Sequence, residues 1–167
     1  MPAPASAEPA APAPASWRDL AREGKSKDAW AAAEAEGLDQ LLATLSAAEL
    51  LQLADLARLA GRGSEARRVY GVVRDRFAGS DAAAAAAFHL GRMSFDGSGA
   101  YAQAARWFST YLAERPGGAF APEATGRLME SLERSGDHAG AQRLAAQYLE
   151  RWPRGAHAAL ASSLVAP

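Results

Sequence analysis

Apolar residues recur three and four positions apart along most of this 167-residue chain, the spacing that gathers them on one face of an α-helix. Leu50, Leu53, Ala54 and Ala57 form one stripe, and Ala66, Val69, Tyr70 and Val73 form the next. Phe88, Leu90, Gly91 and Met93 continue the series, followed by Ala104, Trp107, Phe108, Tyr111 and Leu112, then Ala124, Leu128, Met129 and Leu132. Helices are expected from Trp17 to Gly24, from Ser26 or Asp28 to Glu36 where Gly37 breaks the run, and from Ser46 to Gly61. Further helices are expected over 64–77, from Asp81 as N-cap through Phe95, over 101–115, from Pro122 at the first helical position to Ser135, over 139–152 and over 157–164. Ser46-Ala-Ala-Glu49 has the form of a capping box, and Pro122-Glu123 suits both the φ and the dipole of a helix start. The pattern is helical throughout, which predicts an all-α protein.

The stripes carry a longer period. Gly99 to Pro116 lies over Gly136 to Pro153 with Ala104 on Ala141, Arg106 on Arg143 and Tyr111 on Tyr148. Gly61 precedes Ala66 by the same five residues, and Gly24 precedes Ala29 likewise. The glycines at 24, 61, 99 and 136 are separated by 37, 38 and 37 residues, the extra residue falling in Asp96-Gly97-Ser98-Gly99. A fixed period of this size is the mark of a solenoid, in which each helix pair buries its face against its neighbours.

On these residues the chain resembles the tetratricopeptide repeat (TPR) family. The matching positions are the small residues late in the first helix of a pair (Ala54 and Gly91, with Met129 departing), the turn glycines Gly61, Gly99 and Gly136, the small residues Ala66, Ala104 and Ala141 of the second helix, and the closing Pro116 and Pro153. The resemblance implies a right-handed α-solenoid of about four helix-turn-helix repeats over 17–167 with a short C-terminal capping helix. The long repeats are similar to those of a bacterial cell-envelope subgroup, found in Tol-Pal-associated and outer-membrane-assembly proteins. The Pro/Ala-rich start followed by WRDLA, SAAELLQLADLAR, AAFHLGR and GRLMESLERSGD is similar to the C-terminal parts of FecR-type or anti-sigma-like membrane regulators. That likeness implies an extracytoplasmic sensing or regulatory part and a periplasmic or envelope setting, with a cytoplasmic place as the other possibility. A free periplasmic scaffold for envelope assembly or division, and an accessory repeat domain of a larger enzyme, are the alternatives.

Composition narrows the chemistry. The formal net charge is −1 with a pI near 6.3, giving no electrostatic case for nucleic acid or an anionic membrane. The 49% hydrophobic content is largely alanine, which favours helix and close helix approach while burying little area per residue. No cysteine is present, so disulfides, thiolate metal sites and a cysteine nucleophile are excluded. The apolar run over 82–88 is far too short to cross a membrane, and no signal-peptide pattern is visible. Residues 1–16, rich in Pro, Ala and Ser, read as a disordered or semi-rigid linker.

His89, His138 and His157 have no ligand partner at helical metal spacing, and no nucleophile elbow or phosphate loop accompanies the other polar residues. The expectation is therefore a non-catalytic module without metal or cofactor, binding a protein or peptide partner. In the TPR resemblance the first helices of the pairs line the concave wall. Positions off their packing stripes are Asp55, Arg58, Arg92, Phe95, Glu130 and Glu133, with Asp96 next to them; these are the candidate groove residues. A mixed-charge wall with one aromatic suits an extended segment held by charge-assisted hydrogen bonds. Arg68, Arg106 and Arg143 fall at equivalent places and are expected to pair with neighbouring helices, while Arg74 is expected to face outward.

Overall fold

The computed structural model describes residues 15–97 and 99–166. The linker expected over 1–16 lies outside the described residues as far as residue 14. Ser16 already belongs to the fold, because its side chain accepts a hydrogen bond from Asp19 N and caps the first helix.

Nine α-helices follow in chain order among the described residues, and no strand. They are α1 (Trp17–Arg22), α2 (Ser26–Thr44), α3 (Ala47–Leu59), α4 (Gly63–Arg76), α5 (Asp81–Arg92), α6 (Tyr101–Glu114), α7 (Ala121–Ser135), α8 (His138–Arg151) and α9 (Ala158–Val165), with a π-helical turn, Met93–Gly97, between α5 and α6. Each helix packs on the next, giving the pairs α1–α2, α3–α4, α5–α6 and α7–α8, with α9 laid against α8 and α7 at the C-terminal end. Between alternate helices the closest approaches join α3 to α5 and α7 to α9.

Local chemistry sets the boundaries. Ser46 and Glu49 cap α3 reciprocally as a capping box, and α2 is kinked at Gly37, whose φ of 110° and ψ of 94° no helix contains. Two boundaries differ from the sequence expectation. Ser80, not Asp81, is the N-cap of α5, its hydroxyl accepting from Ala83 N at 3.1 Å; Asp81 sits in the first turn and pairs with Arg115. Pro122 follows Ala121 into α7 and does not open it.

The period also has a backbone form. Gly24, Gly61, Gly99 and Gly136 all adopt positive φ, between 60° and 93°. After Gly24, Gly61 and Gly136 the next amide reaches five residues back, from Lys25 to Leu20 O, Arg62 to Ala57 O and Asp137 to Leu132 O, the Schellman closure. After Gly99 the amide of Ala100 reaches Ser94 O, six residues back. The extra residue of the 38-residue spacing is absorbed in the π-turn, as expected when one residue is inserted into a helix.

The core runs the length of the stack. Trp17 and Trp30 close its N-terminal end beneath Leu50, Leu53 and Tyr70; Phe88, Phe108 and Tyr111 fill the middle; Met129, Tyr148 and Ala161 finish it. Ala66, Ala104 and Ala141, the repeated small residues, are all fully buried. A Cβ on Gly91 would stand 2.8 Å from the Phe108 ring, so the small residue late in α5 is required by the crossing of α5 and α6. The two longer linkers share one device. Tyr111 Oη accepts a hydrogen bond from Phe120 N at 3.0 Å, and Tyr148 Oη accepts one from His157 N at 3.2 Å. Each tyrosine thereby ties a second helix to the start of the next pair.

Candidate partner-binding groove

The C-terminal ends of α3 and α5, the first turns of α4 and the π-turn enclose a cleft of roughly 310 Å³. Its walls are Arg58 from α3, Gly63 and Arg67 from α4, His89 and Arg92 from α5, and Met93, Asp96 and Gly97 from the π-turn. Three arginines on three helices thus line one opening. The α5 histidine lies flat against Tyr70, ring centres 5.3 Å apart at 14°, and Tyr70 donates its hydroxyl proton to Asp55 Oδ1 at 2.8 Å. The same Asp55 oxygen receives Arg58 Nη2 at 3.2 Å. Arg58 is positioned by this chain of contacts but remains exposed. Burial pushes the His89 imidazole down from its ordinary value, which favours the neutral ring and leaves the arginines as the cationic groups of the lining.

The six sequence candidates divide. Arg58 and Arg92 share the cleft, and Asp55 supports it from behind. Phe95 is corrected: it is buried, at 9% exposure, and does not project from the wall. Its ring meets Tyr101 edge-on at 5.2 Å and lies under the guanidinium groups of Arg127 and Arg134, because the π-turn rotates it inward. Glu130 is engaged by Arg134 at 2.7 Å on its own helix, and Glu133 by His138 Nδ1 at 2.9 Å at the α7–α8 turn. Neither lines the cleft.

Arg67, His89 and Asp96 complete the site. Arg67 is exposed and makes no ion pair or side-chain hydrogen bond among the described residues. It lies on a second helix of a pair, so the expectation that the first helices supply the wall passes over it; the packing of α5 beside α4 puts it in the lining of the same cleft as Arg92.

Two of the other arginines have structural tasks. Arg74 is not outward-facing: it is clamped to both carboxylate oxygens of Glu114 on α6, at 2.7 and 2.8 Å, and also donates to Ala83 O. Arg68 pairs with Asp39 at 2.6 Å, whereas Arg106 and Arg143 are exposed and make no ion pair among the described residues. Also among these residues, no three His, Asp or Glu side chains gather to hold a metal ion, and no helix is long and apolar enough to cross a membrane.

This architecture is the TPR-like helical repeat, an all-α solenoid of about four helix pairs and a capping helix. Among solved structures the chain is similar to a kinesin light chain-like protein of Podosopora anserina built of nearly identical TPR-like repeats, at 14% identity and a TM-score of 0.64, over 89% of this chain and 80% of that one. A single-substitution variant of the same protein superposes with a TM-score of 0.66 at 15% identity, over 89% and 82% of the two chains. No protein-family model matches the sequence, and neither does any curated protein. At this identity the likeness concerns the fold alone.

Proposed function

We propose that this protein is a non-catalytic interaction module that holds an acidic segment of a protein partner in the groove formed by α3, α4 and α5. The observation that carries the reading is the convergence of Arg58, Arg67 and Arg92 on one cleft of a chain whose net charge is −1. Guanidinium groups fixed on separate helices match carboxylates spaced along an extended chain, with hydrogen bonds that are both directional and charge-assisted. Apolar contact comes from Met93 in the lining. TPR-like structural neighbours support a protein rather than a small molecule as the partner.

The test is binding of a fluorescent hexaglutamate peptide, followed by anisotropy at two salt concentrations. Reversing both Arg58 and Arg92 to Glu should weaken binding at least about tenfold, since attraction becomes repulsion. Arg106→Glu, the same reversal at an exposed position of α6, should leave affinity within about twofold, because Arg106 does not line the cleft and its charge is screened by solvent. Equal affinity for parent and double variant would remove the groove from the reading.

The setting we propose is the bacterial envelope, as the extracytoplasmic sensing or regulatory part of an anti-sigma-like membrane protein. What supports this is the sequence likeness of the WRDLA, AAFHLGR and GRLMESLERSGD segments. The reading frame upstream of Met1 in the source genome decides it. A transmembrane helix behind a short cytoplasmic domain supports the regulator. A lipobox or signal peptide supports the scaffold alternative, and a catalytic domain the accessory one.

A further inference from the structure

We infer that Asp96 is an internal competitor for the carboxylate that the arginine cleft takes from a partner, an inference that rests on the acidic-segment reading above. Asp96 stands at the cleft rim on the π-turn, with about half of its side chain exposed. Its Oδ1 lies 3.5 Å from Arg127 Nη1 on α7, and its Oδ2 lies 4.0 Å from Arg92 Nε on α5. A charge-assisted N–H···O bond closes at about 2.7–2.9 Å, so this carboxylate neutralises two guanidinium groups without bonding closely to either. Correspondingly, Nε of Arg92 and Nε of Arg127 are both shielded from solvent and have no hydrogen-bond partner. Buried donors in that state are costly and gain most from a better-placed acceptor.

The chain thus holds a carboxylate of its own over Arg92, one of the cations that would receive a ligand, tethered where its geometry is poor. An incoming carboxylate is free to choose its distance and angle. Met93–Gly97 is a π-turn, it contains Gly97, and it abuts Arg67, whose Nη2 would be 4.0 Å from a Cβ placed on Gly97. Asp96 can yield by rotating its own half-exposed side chain, which leaves the buried Ser94 and Phe95 of the same turn, and with them α5 and α6, in place. It also selects ligands: a neutral segment cannot replace the charge that Asp96 supplies, whereas an acidic one can.

Removing the competitor should strengthen binding. With hexaglutamate as the probe, Asp96→Asn and Asp96→Ala should each bind about three- to tenfold more tightly than the parent, the scale of one charge a few ångströms away at the protein surface. The gain should shrink as salt rises. Asp96→Glu keeps the charge on a longer arm and should bind no more tightly than the parent. Asp75→Asn removes the same charge from an exposed position of α4, about 18 Å along the helix from Gly63, and should stay near the parent. Circular dichroism melts of the two neutral variants confirm that each is folded. If the parent binds with dependence on Arg58 and Arg92 but both neutral variants bind no better, the competitor role is overturned and the groove stands. If no variant binds hexaglutamate, or binding ignores the arginines, both are overturned.

Discussion

Two glycines inside helices show how far a single position depends on its surroundings. A Cβ on Gly71 of α4 would meet nothing within 4 Å, whereas one on Gly126 of α7 would collide with the His157 ring. Gly71→Ala should therefore raise stability by about 0.5–1 kcal/mol through helix propensity. Gly126→Ala should lower it by about 1–3 kcal/mol, since His157 must leave its seat at the start of α9. Chemical denaturation of the pair checks both signs at once. Glu49 offers a second test at this scale. The Arg18 guanidinium first, then the Ser46 hydroxyl and N–H, hold its carboxyl well below its ordinary 4.5, at about 2. A carboxylate depressed by folding contributes stability that is present above pH 4.5 and lost as the pH falls from there through about 2. An NMR titration should show Glu49 ionised to near pH 2, and Arg18→Ala should move the midpoint back toward the ordinary value. The capping box behind this shift was legible in Ser46-Ala-Ala-Glu49, but the Arg18 contact spans 31 positions and no local pattern announces it.

Helices and their partners were read from periodicity because stripe spacing and turn glycines are local properties. Which face of a helix meets the next repeat is not local. Arg74 points away from its own partner helix and reads as outward, yet the superhelical turn delivers Glu114 of α6 to it. Phe95 reads as exposed if α5 continues regularly, and the π-turn changes its direction. Arg67 was missed for the same kind of reason, since nothing in its own helix signals the approach of α5. The Arg74–Glu114 clamp is mostly shielded, with side chains 21% and 27% exposed, so a double-mutant cycle on Arg74→Met and Glu114→Gln should return a coupling of about 1 kcal/mol. A coupling near zero would make the contact incidental. The repeated small residues carry the helix crossings: Ala104→Leu and Ala141→Leu should each cost about 1–3 kcal/mol in thermal or urea unfolding, both sites being wholly buried.

For the whole molecule, each pair touches only its neighbours, so stability is a sum of repeat and interface contributions. The two ends are unequal. The N-terminal end is closed by the fully buried Trp17 and Trp30, whereas α9 buries only Ala161 completely. Hydrogen exchange should accordingly be fastest in α9 and slowest in α3 to α6; uniform protection from end to end would contradict this. One irregularity interrupts the array, and it behaves like an interstitial in a one-dimensional crystal. Adding a residue to an α-helix rotates everything beyond it by about 100°, enough to turn Ala104 and Phe108 away from α5. The π-turn at Met93–Gly97 takes up that phase slip within a single turn, and Gly99 returns the chain to the lattice of positive-φ glycines. The dislocation does not propagate: α6 meets α5 in the phase in which α4 meets α3, and the added residue shows in a turn that draws Phe95 inward and carries an aspartate to the rim.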